Sequence, residues 1–517
     1  MRVDPSEPGW LSEAVRERID AFSDARTVER IWARDHTVWR DDPTEISDRL
    51  GWLTVHEQMR AELSELRTFA KRCASDGFRT AVLAGMGGSS LAPEVFRGVL
   101  GVGADGLDLI VLDTTHPDQI LEVEHSLDLD RTLFVISSKS GTTIETRSHF
   151  AHFWERYPKG ASYVAITDPG TPLEELGAEH GFRRVFRNPP DIGGRYSALS
   201  YFGLVPAALI GADVGQLIGS AASAATACAA EVPAADHPGV RLGTAIGEAA
   251  LAGRDKLTFV LPPEVALLGT WLEQLIAEST GKEGKGIVPV EGAALGPPGV
   301  YGDDRLLAAS GDAGGPILEW LGRAGHPIER VSPAGRGDLG GAMFLWEFAT
   351  AVAGAVLDIN PFDQPDVQSA KDATKKVLAS GSLPKIDALD LSEVLDAAPP
   401  SYLGIQAYLP RTEDNSARLA AVREKIREAR RLATTVGFGP RFLHSTGQLH
   451  KGGPPTGRFV QVVEPPATDL AIPGESFTFG ELLAAQAAGD LQALRGRGRP
   501  VARVTLRELE DAVTRLS

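Results

Sequence analysis

Apolar positions in residues 10–75 recur at three- and four-residue intervals, as at Leu50, Leu53, Met59, Leu63 and Leu66. Such spacing aligns side chains on one face of a helix, and the stretch reads mainly as helical, most clearly over 46–70. The pattern then changes. Short apolar runs at 80–84, 107–113, 132–137 and 163–168 are each followed by a glycine or serine turn and a helical segment. Strand and helix alternating through short connections predict an α/β fold with a doubly wound parallel sheet. The alanine-rich stretch 207–230 predicts helix, bridging to a second unit. There the alternation resumes, with strands expected at 257–261, 286–290, 305–309, 403–409, 441–443, 458–463 and 501–505. Helices are expected at 263–279, 343–357 and 363–378. Proline-containing breaks at 398–401 and 452–457 read as surface loops. The simplest organisation is a helical N-terminal arm over 1–45, one doubly wound unit over 46–235 and a second over 236–517 that includes a C-terminal extension.

Composition narrows the function. The 517 residues are 43% hydrophobic and 23% charged, which supplies apolar material for a large core. The net charge of −17 repels nucleic acid, so none is expected as a partner. It also opposes a small anion, which would need a local cluster of donors. Cys73 and Cys228 lack metal-ligand spacing and cannot build a disulfide framework, which fits a reducing compartment. The first ten residues hold no apolar signal core, and the apolar stretches 201–210 and 349–357 are shorter than a bilayer span. A soluble, cytoplasmic protein without a membrane partner is expected, with no metal and no cofactor.

Two loops carry candidate chemistry. Ala84-Gly85-Met86-Gly87-Gly88-Ser89-Ser90-Leu91 joins a strand to a helix. It looks at first like a dinucleotide fingerprint, but Ser90 stands where the third glycine belongs, which weakens a nucleotide-binding oxidoreductase reading. A tight turn without a ligand is the alternative. In the run from Ile136 to Thr146, hydroxyls at Ser137, Ser138, Ser140, Thr142 and Thr143 crowd the end of a strand where a helix begins, beside Lys139. Hydroxyls and helix-terminal N–H groups together suit a phosphate. The plainer alternative is a helix capped by a threonine and Glu145.

The run Ser-Lys-Ser-Gly-Thr-Thr-Ile-Glu-Thr resembles the phosphate loop of sugar isomerase domains, specifically that of the phosphoglucose isomerase family. The resemblance extends from about residue 45 to residue 460. It includes the glycine loop, Gly193-Gly194-Arg195-Tyr196-Ser197, Gln274 to Lys282 with its Gln-x-x-x-Glu-Ser-x-Gly-Lys pattern, Asn360-Pro361-Phe362-Asp363-Gln364, and His444-Ser445-Thr446-Gly447-Gln448. It implies two sugar isomerase domains and interconversion of glucose 6-phosphate and fructose 6-phosphate through a cis-enediol, in glycolysis and gluconeogenesis.

By the same resemblance Glu278 is the base, Arg195 stabilises the enediolate, and Lys371 and His444 open the sugar ring, with His450 in reserve. Gly88, Ser89, Ser138, Lys139, Ser140, Thr142, Thr143, Gln274 and Gln364 bind substrate. Residue types leave plainer alternatives: Arg195 pairing with Asp191, a solvated Glu278, a solvated Lys371. Two features depart from the family pattern. Asp366 stands where glycine is frequent, and the histidine segment follows the Asn-Pro-Phe-Asp-Gln segment instead of preceding it. That order resembles the isomerase half of transaldolase–phosphoglucose isomerase fusions, and it leaves open whether His444 serves its own site or that of a second subunit. The family commonly forms homodimers, which are expected here. A non-catalytic sugar-phosphate sensor and an isomerase of another sugar phosphate are the competing functions.

Overall fold

The computed structural model describes residues 3–6, 9–331, 335–383 and 388–516. Among the described residues the fold is α/β, with three sheets. The chain opens on a strand, β1 (Val3–Ser6), so the N-terminal arm is not wholly helical; helices Gly9–Asp24 and Thr27–Trp32 follow. The first sheet holds β2 (Thr80–Gly85), β3 (Asp108–Leu112), β4 (Thr132–Ser137), β5 (Tyr163–Thr167) and β6 (Arg184–Arg187). Its order is β3-β2-β4-β5-β6 and every pairing is parallel. β4 and β5 are buried on both faces, which is why they read as unbroken apolar runs. β6 escapes that reading because exposed Arg184 and Arg187 bound it.

The second half divides its strands between two sheets instead of forming one unit. β7 (Lys256–Val260), β8 (Val288–Val290), β9 (Arg305–Ser310) and β10 (Ile328–Val331) make one, in the order β1-β10-β9-β7-β8, with only β1 antiparallel. β11 (Tyr402–Tyr408), β12 (Ala433–Phe438), β13 (Gly457–Val463) and β14 (Val501–Val504) make the other, parallel in the order β12-β11-β13-β14. Hydrophobic spacing marks strands but not their partners, so the extra sheet was invisible in it. The strand expected at 441–443 is a 3-10 turn, Arg441–His444, directly after Gly439-Pro440 ends β12.

The two later sheets are joined by a buried cluster that includes Ala277, Val288, Tyr402, Ala433, Leu449, Phe459 and Leu491. At about 1.5–3 kcal/mol for each large side chain fully buried, this contact is a substantial part of what docks the C-terminal unit. The alanine-rich stretch forms two helices, Tyr201–Leu209 and Val214–Ala227, the second capped by Asp213 accepting from Gly215 and Gln216 N–H. Helix Leu339–Val356 begins earlier than expected. The span Arg336–Val356 is long and apolar enough to cross a bilayer, but 94% of its most apolar window is buried inside the fold. It packs on helices Val214–Ala227 and Pro238–Leu251 as a core element. The glycine loop and the hydroxyl loop leave the carboxyl ends of neighbouring β2 and β4, where open α/β sheets place their ligand crevice.

Candidate active site

Helix Leu268–Thr280 buries nearly its whole length, and Gln274 and Glu278 lie one turn apart on it. Glu278 is 6% exposed and Arg195 is 3% exposed. Arg195 Nη1 lies 3.1 Å from Glu278 Oε1. The rest of the guanidinium is fixed by neutral acceptors: Nε donates to Ser279 Oγ at 2.7 Å, and Nη2 to the carbonyls of Pro361 at 2.7 Å and Asp363 at 2.9 Å. Arg195 is therefore no surface arginine, and Asp191 pairs with Arg34 instead, at 3.1 Å. Gln274 Nε2 donates to Glu278 Oε2 at 3.0 Å and to the His444 carbonyl at 2.8 Å, so one amide ties the carboxylate to the histidine turn.

Behind this pair stands Lys282, whose Nζ donates to the Asp363 carbonyl at 2.7 Å and to Asp363 Oδ1 at 2.5 Å. Burial, with nearby Arg195, lowers its ammonium to about 8 although Asp363 opposes the shift. Ser279, Lys282 and Asp363 lie inside segments that the sequence singles out. Their roles depend on which carbonyls and hydroxyls reach Arg195, which no spacing displays.

The glycine loop packs against the turn that carries Arg195. A Cβ on Gly88 would lie 2.0 Å from the Gly194 carbonyl oxygen, so the two backbones meet where no side chain fits. Gly87 has φ +54°, and a Cβ there would meet the His444 carbonyl at 2.7 Å. Ser89 is nearly buried, and Ser90 Oγ donates to Asp113 Oδ2 at 3.1 Å. These glycines allow close backbone approach within the protein.

In the second loop, Thr143 makes no side-chain cap to helix Ile144–Arg156. Its hydroxyl bonds Ser138 Oγ at 2.9 Å, while Ser140 and Thr142 hydroxyls pair at 2.9 Å. Glu145, in the first turn of that helix, is buried, and its carboxylate accepts from His444 Nε2 at 2.9 Å. The hydroxyls line a cavity of about 270 Å³ with Lys371, Lys375, His444 and Lys451. The structure thus brings Ser140, Thr142, Thr143, Lys371 and His444 to one cavity, with Ser138 bonded at its edge. His444 reaches Glu145 of its own chain. His450 is a buried core residue, its Nδ1 3.2 Å from Gln406 Nε2, and burial holds its ring well below the usual histidine range.

A family model, Phosphoglucose isomerase, matches residues 17–286, more than half of the chain. The chain belongs to the phosphoglucose isomerase family. Glucose-6-phosphate isomerase of Rubrobacter xylanophilus is 29% identical over 393 residues, covering 64% of this chain and 89% of that relative. An enzyme of that name from Thermus thermophilus is 29% identical over 433 residues, covering 73% of this chain and its own full length. Among solved structures, a hypothetical protein, also of Thermus thermophilus, matches with a TM-score of 0.63 at 26% identity, over 73% of this chain and 99% of its own. A Chlamydia trachomatis glucose-6-phosphate isomerase shares the fold, with a TM-score of 0.54 at 20% identity over 69% and 78%.

The phosphoglucose isomerase match includes the segments of Arg195, Glu278 and both loops, and ends before Lys371 and His444. Two of the expected substrate-binding residues, Gln364 and Lys139, and the departure at Asp366 have surroundings that the sequence did not display. Gln364 is exposed and is not among the residues lining the hydroxyl cavity. Lys139 turns its ammonium to the Asp168 carboxylate and, at 3.0 Å, to the Pro190 carbonyl. Asp366 is buried, where its Oδ2 accepts from Gln448 Nε2 at 2.8 Å and its N–H donates to Gln448 Oε1 at 2.9 Å; it also pairs with Arg497. Gln448 further donates to the Gly281 carbonyl at 2.9 Å. The departure from glycine therefore joins the Asn-Pro-Phe-Asp-Gln segment to the unit that carries His444.

Proposed function

We propose that this protein is a glucose-6-phosphate isomerase, interconverting D-glucose 6-phosphate and D-fructose 6-phosphate. The observation that carries the reading is the buried Glu278–Arg195 pair, bridged by Gln274 to the histidine turn beside a hydroxyl-lined cavity. The phosphate is held by Ser138, Ser140, Thr142 and Thr143. His444 and Lys371 exchange protons with the ring oxygen and anomeric hydroxyl as the hexose opens. Glu278 then takes the C2 proton of the open-chain aldose and returns it to C1. Both carbons lie on one face of the planar enediol, so one carboxylate serves both. With Nε and Nη2 held by neutral acceptors, Arg195 Nη1 is the donor that meets the developing oxyanion.

The proposal extends to a cytoplasmic homodimer acting in glycolysis and gluconeogenesis. These points rest on composition and on the family resemblance, and size-exclusion chromatography with light scattering tests the dimer. Turnover of fructose 6-phosphate, followed through a dehydrogenase that consumes glucose 6-phosphate, tests the reaction. Robust turnover supports it; sugar-phosphate binding without turnover would favour the sensor.

A further inference from the structure

The ring-opening histidine is held by more than Glu145. Helix Phe479–Gly496 follows the segments that resemble the family, and it brings Gln486 into the same cavity. Gln486 is 3% exposed and donates from Nε2 to Glu145 Oε1 at 2.7 Å. That oxygen also receives His444 Nε2. Gln486 Oε1 accepts from Thr115 Oγ1 at 2.8 Å, and Thr115 is 0% exposed.

The chemistry of these groups assigns the protons. An ionised carboxylate only accepts, so the Gln486 end on Glu145 is its NH2 and the end on Thr115 is its carbonyl. Thr115 must donate. By the same rule the His444 nitrogen on Glu145 carries hydrogen, and in the neutral ring Nδ1 is left as the basic nitrogen. Resting on the proposed isomerase reading, we infer that Gln486, oriented by Thr115, is a positioning residue that holds Glu145 to the Nε2–H of His444 and so selects the tautomer that opens the sugar ring.

Charge around Glu145 agrees. Burial alone pushes its carboxyl up, but the His444 ring and backbone N–H bring it below its ordinary value. His149, on the same helix, is buried, lowered to about 4 and neutral, donating from Nε2 to the Thr114 carbonyl at 2.7 Å. From the other elements around the cavity come Lys371 and Lys375 on helix Val367–Ser380, and Lys451 on helix Gly447–Gly452, which is paired with Asp490 on the helix of Gln486 at 2.6 Å. Removing the Gln486 donor takes away one stabiliser of the Glu145 charge, so the carboxylate protonates at higher pH.

The test compares wild type with Gln486→Leu, Thr115→Val and Thr115→Ser. In Gln486→Leu, kcat/KM falls about tenfold at pH 7 and its acid limb moves up by about one pH unit, the size of one hydrogen bond to a charged group. Thr115→Val shifts the limb in the same direction by less, and Thr115→Ser restores it. Imidazole 15N spectra of His444 show Nε2–H in wild type and a tautomer mixture in Gln486→Leu. A uniform loss at every pH with an unchanged limb, or an unchanged tautomer in Gln486→Leu, overturns the inference. The spectra do not depend on turnover. An inactive wild type would sink the isomerase reading alone, while the His444 tautomer would still decide the role of Gln486.

Discussion

The two halves of the site are built differently. Glu278 and Arg195 are 6% and 3% exposed, and every guanidinium nitrogen has a partner inside the protein. The hydroxyl cavity is looser. Ser140 and Lys371 are exposed, and its hydroxyls bond chiefly to one another, partners that a phosphate can replace. Charge is strongest where water is scarce, so groups that move a carbon-bound proton gain from a dry, prearranged setting. Groups that capture a dianion from solvent gain from access. The comparison predicts that changes in the dry half remove turnover, whereas changes in the open half weaken binding.

The largest effect should come from Glu278→Gln, with kcat falling about 10³- to 10⁴-fold and KM changing little. Near-normal turnover would remove Glu278 from the base role and dissolve the contrast. Arg195→Lys comes next. Lysine cannot reproduce the fork of donors, so kcat should fall about 10²-fold and urea unfolding should show about 3 kcal/mol lost, because a buried carboxylate loses its partner. Thr143→Val and Ser138→Ala sharpen the other side. Each should raise KM about tenfold while kcat stays within about twofold, since each removes one hydrogen bond to a charged group. A fall in kcat without a change in KM would place these hydroxyls in the chemical step.

Lys282 supplies the pH test. Its folded value of about 8 lies below the ordinary 10.5, so between those values the unfolded chain binds more protons than the folded one. Stability from this group therefore rises as pH increases from 8 to 10.5, and Lys282→Met should abolish that increment in denaturation measured across the window. Deprotonation near 8 also loosens Asp363, whose carbonyl holds Arg195, so an alkaline limb of kcat near that pH should vanish in the same variant. The smallest effect is expected for exposed Gln364: Gln364→Ala should stay within about twofold of wild type in both kcat and KM. A larger loss would show that substrate draws this side chain inward.

Much of the fold was legible where burial is uniform. β4 and β5 are apolar on both faces, and their runs stand out from the flanking turns. β10, with the sequence Ile-Glu-Arg-Val, and β12, rich in threonine, carry no such signal. In the site, each motif displayed its residue types but not their partners. Glu145 sits at a position that suits a helix cap, and only the arrival of the C-terminal unit makes it the acceptor for His444. Gln486 stands in an alanine-rich helix that nothing local marks as functional.

By itself the sequence determined the α/β class, the hydroxyl loop, the glycine turn of Arg195 and the spacing of Gln274 and Glu278, because those depend on neighbours a few residues apart. Tertiary structure decided which sheet the late strands join, that His444 meets Glu145 of its own chain, and that Asp366 ties two distant segments through Gln448. His444 and Glu145 are 299 positions apart, and local periodicity holds no information at that range.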